Sequence, residues 1–359
     1  MATSRIEEYK ASAERRRKRF AYITGIFGLV LITFSYYFYQ VFFQANIETK
    51  GRPTYVTIRP GYTSRQVLDS IEATGVVVDR LSLRFVARAM KYDQLVKPGR
   101  YELKDGYTNR QLIGDLRTAR NRLPLRLTFQ SLRLRQDLAN RLATTIDAKP
   151  ATFDSLLTSP AYTKALGFDT LSILTMFIPN TYDLAWNTSA ENLMQRMKKE
   201  YDKFWTPARD AKRQALGLSR AEVSVLASIV EAEQQQHADE RPRVAGVYLN
   251  RLKRGMKLQA DPTVVFANQD FTIKRVLNKH LAMDSPYNTY KYNGLPPGPI
   301  NLPSIASIDA VLSPEEHNYL YFCAKEDFSG YHAFARNEQE HLVNARRYQA
   351  ALSRNGIMK

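Results

Sequence analysis

The chain has 359 residues, of which 52 are Lys or Arg, 35 Asp or Glu, five His and one Cys. A hydrophobic share of 44% supports a packed core and excludes wholesale disorder, and the length suits two domains or one large domain with an anchor. A lone Cys excludes an intramolecular disulfide framework, the five His lack metal-ligand spacing, and a formal charge of +17 calls for an acidic partner or surface.

Residues 1–19 hold seven basic and three acidic side chains, a net of +4, with RRRKR at 15–19. Residues 20–43 (FAYITGIFGLVLITFSYYFYQVFF) then carry no charge. As a helix they would reach roughly 36 Å and cross a hydrocarbon core about 30 Å thick. By the positive-inside rule the basic tail stays cytoplasmic. The remainder, still carrying +13, is expected to be exported as a periplasmic or extracytoplasmic region tethered to the cell (inner) membrane by a single pass. The apolar run exceeds the ~7–15 residues of a signal-peptide core and no A-x-A-like site follows, so an anchor is expected rather than a cleaved leader. Tyr36, Tyr37 and Tyr39 stand where an aromatic belt would. Outside the cytoplasm nucleic acid is not an expected partner; an anionic membrane or wall polymer is.

A polar link at 44–52 leads to a strand-like run, Tyr55-Val56-Thr57-Ile58. An internal near-repeat follows, GYTSRQVL at 61–68 and GYTNRQLI at 106–113, offset by 45 residues. Each copy reads as a turn glycine, a Thr N-cap and a Gln three residues on, the capping box that opens an amphipathic helix. Between them lie a helix pattern at 81–90 and a turn-strand signal at 97–103. Residues 53–122 are therefore expected to form a small α+β module similar in size and strand–helix order to LysM domains. It would either bind a sugar polymer or act as a spacer from the membrane.

Residues 123–359 are expected to form a larger mixed α+β domain, opening with a strand at 125–129. Helical apolar spacing marks 155–166, 190–204 and 207–216, with an irregular Pro-containing loop at 177–182. Trp186 and Trp205 offer faces for sugar stacking, although a Trp beside helices more often belongs to a core. Cys323, in the apolar run YLYFCAK, reads as a buried strand residue.

The segment 219–235 (SRAEVSVLASIVEAEQQ) opens on a capping box, Ser219 with Glu222, and continues as a helix apolar on nearly every side. Glu231 closes the apolar run. A carboxyl at an apolar rim has its charged form disfavoured, which suits a general acid near neutral pH. Glu233 should project about 200° away, so the two are not expected to share one site. A second amphipathic helix at 242–253 leads to three polar stretches: LQADPT at 258–263, SPYNTY at 285–290 and GLPPGPI at 294–300. Their Tyr, Asn, Thr and Gln offer neutral hydrogen bonds and stacking faces, which suit an uncharged sugar. Strand-like runs at 319–322 and 331–334 and a helix at 338–352 follow.

These motifs resemble the endolytic murein transglycosylases of the YceG-like (MltG) group. The resemblance covers essentially the whole chain. It is most specific at ASIVEAE (227–233), VAGVYLNRL (244–252) with MKLQADPTV (256–264), SPYNTY, GLPPGPI, and YLYF (319–322) followed by H-A-F (332–334). It implies a peptidoglycan lyase, without cofactor or metal, that cleaves the MurNAc-β-1,4-GlcNAc bond of nascent glycan strands. The product would carry a 1,6-anhydro-MurNAc end, and strand elongation would stop. The family's catalytic glutamate falls on Glu231, as acid and then base. Its substrate cleft falls on the three polar stretches, which carry Gln259, Asp261, Thr263, Tyr287, Asn288, Thr289, Tyr290, Leu295 and Pro296. Gln259, Tyr287, Asn288 and Thr289 are the candidates for positioning the sugar and the charge at C1. Wall synthases are the expected neighbours of a strand terminator.

There are departures from the family's pattern. Asn180 stands where an F-P-D-T-Y loop has Asp, and Thr128-Phe129-Gln130-Ser131 lacks the Glu and Gly of I-P-E-G. Two other readings stay open. One is a water-using muramidase pairing Glu231 with Asp261, which otherwise reads as a turn cap before Pro262. The other is a non-catalytic wall-binding adaptor.

Overall fold

A long helix, α1 (Ala2–Phe43), opens the chain in the computed structural model, which describes residues 2–146, 148–186 and 188–356, with side chains from residue 16 onward. Its stretch Arg16–Phe43 is long and apolar enough to cross a membrane, and nearly all of it is exposed. The fold is mixed α+β and divides into two compact units, residues 1–125 with 185–187, and residues 126–184 with 188–359.

In the first unit α1 is followed by β1 (Thr54–Ile58), α2 (Ser64–Ala73), α3 (Arg80–Ala89), β2 (Gly99–Leu103), α4 (Asn109–Thr118) and β3 (Arg122–Leu123). The strands form an antiparallel sheet in the order β1-β2-β3, with Thr54 opposite Leu103 and Ile58 opposite Gly99. Both copies of the repeat start helices as their sequence requires. Thr63 and Gln66 close one capping box, and Thr108 and Gln111 the other. Gly61 and Gly106 precede them at φ of +84° and +74°, a region that a Cβ disfavours. Trp186 is half-buried here and donates from Nε1 to the Leu123 carbonyl at 2.6 Å.

The second unit begins with β4 (Leu125–Phe129), α5 (Arg135–Ile146), α6 (Pro150–Thr158) and α7 (Pro160–Ala165). The single helix expected over 155–166 is thus two. Ser159 is extended and caps α7, because a residue before proline is pushed out of the helical region. The expected irregular loop at 177–182 ends in a strand, β5 (Asn180–Leu184), which pairs with β4. Asn180 spends its side chain on the Thr181 amide at 2.8 Å. Then come α8 (Ala190–Phe204), α9 (Pro207–Ala215), α10 (Arg220–Glu233), α11 (Arg241–Lys253), α12 (Asp261–Asn268), α13 (Asn278–Leu281) and α14 (Ile305–Leu312). The hairpin β6 (Tyr321–Ala324) and β7 (His332–Ala335) and the helix α15 (Glu338–Arg354) follow. Trp205 is buried among Tyr201 and Phe204, a core residue.

Helix α10 is the centre of this unit. Every residue from Val223 to Val230 is buried. Burying side chains such as Leu226, Ile229 and Val230 contributes roughly 1.5–3 kcal/mol each. Of the two buried serines of α10, Ser224 bonds back to the Arg220 carbonyl at 3.2 Å and Ser228 acts as a fastener. Its hydroxyl donates to the Val225 carbonyl at 2.7 Å and accepts from the Ile300 amide at 3.1 Å. Its carbonyl accepts from Asn301 Nδ2 at 3.0 Å. These bonds seat residues 300–304 against the C-terminal half of α10. Ser228→Ala strands the buried Ile300 amide and should cost about 1–3 kcal/mol of unfolding free energy by urea denaturation. An unchanged midpoint would contradict this fastening.

Candidate active site

The site is built on the way α10 ends. A helix that stops inside a domain leaves carbonyls to be satisfied there. Arg241, at the start of α11, does this work. Its Nε donates to the Gln234 carbonyl at 2.8 Å and its Nη2 to that of Gln235 at 3.3 Å. Its Nη1 reaches Ser307 Oγ at 3.1 Å and lies 3.9 Å from Glu231.

Glu231 does not stand at an apolar rim. Its Oε2 accepts from the Ser304 amide at 2.8 Å, from Ser307 Oγ at 2.7 Å and from the Ser304 hydroxyl. Ser304 is the N-cap of α14, so the positive end of that helix also faces this oxygen. Three donors converge on this one oxygen, all of them from the start of α14.

The desolvation expected of Glu231 acts instead on Glu233. Among the described residues its Oε1 accepts one hydrogen bond, from the fully buried Tyr248 hydroxyl at 2.7 Å. Burial pushes its carboxyl up to about 7, with Tyr248, His332 and Arg251 pulling it down and Asp261 adding to the rise. The two glutamates also share one site, contrary to their angular spacing. A cavity of about 780 Å³ is lined by both, with Asp261, Arg133, Arg241, Lys274, Phe266, Phe271 and Ser304 among its other walls. The helix ends at Glu233, and two flexible side chains reach the same space from its last turn.

A second cavity, of about 280 Å³, lies against Glu233 and Asp261 as well. Tyr248, Arg251, Gln259, Tyr290, Phe322, Cys323 and His332 line it. Glu233 and Asp261 are thus common to the walls of both cavities. Asp261 begins α12 and accepts from Tyr290 at 2.6 Å. His332 is held by Glu240, ring Nδ1 to Oε2 at 2.7 Å and backbone amide to Oε1 at 2.9 Å. Burial raises the Glu240 carboxyl, but these bonds and one from Gln234 outweigh it and hold the group below its ordinary value. Cys323 is half-buried on β6, and its thiol is pushed up by burial.

Of the residues singled out in the sequence, Glu231, Gln259, Asp261 and Tyr290 line these cavities. Gln259 does so at φ +50°, a strained conformation for a residue with a Cβ, and its amide donates to the Thr289 carbonyl. Thr263 and Thr289 lie underneath. Their hydroxyls meet at 2.8 Å and fix Ala260 through its carbonyl and amide. Asn288 is buried and spends its amide on the Leu281 and Met283 carbonyls. These three hold the loop that presents Gln259 and Asp261, and do not face the cavities. Tyr287 packs on the wall residue Phe266 at 4.7 Å, Pro296 is buried and Leu295 half-buried, all outside the two linings. Among the described residues no group of three His, Cys, Asp or Glu gathers as a metal would require.

Around these cavities the sequence reading set Glu233 apart from Glu231 and did not single out Arg241, Tyr248, Ser304, Ser307 or His332. Ser304 carried a readable signal, a serine before an apolar run. The Tyr248–Glu233 pair carried none, since it arises only when α11 packs on α10.

The raised Glu233 carboxyl has a consequence for stability. Its folded value lies above the ordinary 4.5, so the folded state binds the proton more tightly. The contribution is complete below about pH 4.5 and is lost as pH rises through about 7. Glu233→Gln cannot ionise and still accepts from Tyr248. Between those pH values the wild type should therefore lose stability relative to this variant in urea titrations, and parallel curves would contradict the assignment.

Residues 56–347 match the YceG-like family. A stretch of 163 residues is 38% identical to a Bacillus subtilis (strain 168) protein named endolytic murein transglycosylase, covering 45% of this chain and 44% of that protein. A protein of the same name from Streptococcus pneumoniae serotype 2 (strain D39) is 26% identical over 321 residues, 81% of this chain and 58% of its own length. The chain spans about half the length of the curated relatives it matches. The crystal structure of a yceG-like protein from Listeria monocytogenes superimposes with a TM-score of 0.55 at 26% identity, covering 81% of this chain and 98% of that one. The match from β1 to α15 makes this chain a member of the YceG-like family.

Proposed function

We propose that the chain is a membrane-anchored endolytic lytic transglycosylase of peptidoglycan, with Glu233 as its acid and base. The observation that carries this reading is the pair of cavities meeting at Glu233 and Asp261. An enzyme that cuts within a strand needs room for sugars on both sides of the scissile bond, and its acid must stand where the two spaces meet.

Glu233 would give its proton to the glycosidic oxygen as the C1–O bond breaks. The 6-hydroxyl of the same MurNAc would attack C1, and its proton would return to Glu233. No water is consumed, and the 1,6-anhydro ring forms. A carboxyl with a value near 7 suits both halves of that cycle at neutral pH. The Tyr248 hydroxyl would steady it when ionised. Phe266 and Phe271 offer sugar-stacking faces, and Arg133 and Lys274 suit the carboxylates of murein peptide stems. The relatives' shared name supports the substrate class.

Glu231, the glutamate favoured by the resemblance, is the second reading, since it lines the larger cavity. In the first reading it helps to place α14 and Arg241 instead. The anchor would be the apolar part of α1, with the basic tail in the cytoplasm and both units outside, and residues 53–122 would be a LysM-like spacer or glycan-binding module.

The full chain in detergent, incubated with uncrosslinked glycan strands, tests this by mass spectrometry of the products. Anhydro-MurNAc ends should form with the wild type and fall by about 100-fold or more in Glu233→Gln, the scale of losing a general acid. Full activity in Glu233→Gln with loss in Glu231→Gln would transfer the role to Glu231. Reducing ends would mean hydrolysis, with Asp261 activating water.

A further inference from the structure

The first unit carries an apolar face that its own core does not use. Val78, Leu81 and Phe85 are 65%, 80% and 55% exposed, while Leu83, Val86 and Ala87 on the opposite side of α3 are buried. Leu81 and Phe85 are one turn apart and so share a face of α3. This face adjoins the end of α1. The Phe42 ring meets Phe85 edge-on with centroids 6.2 Å apart. The junction is fixed rather than loose. Val41 is buried in the unit's core, and its carbonyl accepts from Asn109 Nδ2 at 2.9 Å. Asn46 bonds to Asn109 Oδ1 at 2.7 Å and exchanges bonds with the Asp79 backbone at 2.6 and 2.8 Å. Val78 donates its amide to the Asn46 carbonyl at 3.0 Å.

The length of the apolar run sets the depth of this junction. A hydrocarbon core needs about 20 helical residues, which counted from Phe20 end near Tyr39. Val41–Phe43 then lie at the headgroup level, and Phe85, packed on Phe42, lies there with them. The charges beside the patch have the sign that anionic headgroups require. Arg80 and Arg88 are exposed on α3, and the Arg110 guanidinium sits 5.2 Å from the centroid of the Phe43 ring. Arg84 is not among them, being committed to Asp69 and Glu72.

We propose that Val78, Leu81 and Phe85 seat the first unit on the outer surface of the bilayer that holds α1, with Arg80, Arg88 and Arg110 at its anionic headgroups. This rests on the membrane-anchor reading above. It makes the module a foot that lies on the membrane, and not a freely swinging spacer. Apolar wedges flanked by arginine are the residue types that bind such an interface.

The full chain reconstituted in vesicles of phosphatidylethanolamine and phosphatidylglycerol tests this, with bromine on shallow or deep acyl carbons. Leu81→Trp, Phe85→Trp and Val30→Trp are each compared with the wild type, which contributes only the emission of Trp186 and Trp205. The added emission at 81 and 85 should be quenched most by shallow bromine and shielded from iodide in the water, and that at 30 most by deep bromine. Quenching at 30 with none at 81 or 85, and open access to iodide there, would overturn the proposal and leave the anchor standing. Shielding at 81 and 85 from both quenchers would mean a protein cover, a second copy or a partner, and would also overturn it. Absence of quenching at 30 would remove the anchor and the proposal together.

Discussion

The second unit depends on how a buried helix can end. Helix α10 is buried from Val223 to Val230 and ends inside the unit, where its terminal carbonyls need partners. Arg241 of α11 takes the carbonyls of the C-cap Gln234 and of Gln235, and the same guanidinium reaches Ser307 of α14 and approaches Glu231. Three helices are thereby locked at one point. That lock leaves the last residue of α10, Glu233, projecting beyond the fastened turn, with Tyr248 as its only direct hydrogen-bond partner among the described residues.

Two neighbouring carboxyls of one helix thus have opposite surroundings. Glu231 is met by hydroxyls, an amide and a guanidinium, and serves as an acceptor. Glu233 is met by burial and one phenol, and holds its proton to about pH 7. Position along the helix does not set this difference. The separation comes from the elements that each side chain faces, α14 for one and α11 for the other.

The parts of the fold governed by local rules were legible in the sequence. The capping boxes at Thr63, Thr108 and Ser219 start helices where the pattern placed them. The break at Pro160 was equally local but was hidden under continuous apolar spacing. The site was legible only in part. Its polar stretches were found, yet Thr263, Asn288 and Thr289 turned out to be the frame and Gln259, Asp261 and Tyr290 the surface. Sequence separates these two roles poorly, because the same polar residues satisfy buried backbone as readily as they bind sugar. The shared cavity of Glu231 and Glu233 was not legible for a related reason. An angular argument along one helix ignores where neighbouring helices leave space, and both side chains reach the same cavity.

The most direct test of this account is a crystal structure of Glu233→Gln with a glycan strand bound. The account predicts sugars in both cavities, with the oxygen of the bond between them within hydrogen-bonding distance of residue 233 and apart from Glu231. A strand whose scissile oxygen met Glu231 instead, or one that left either cavity empty, would contradict it.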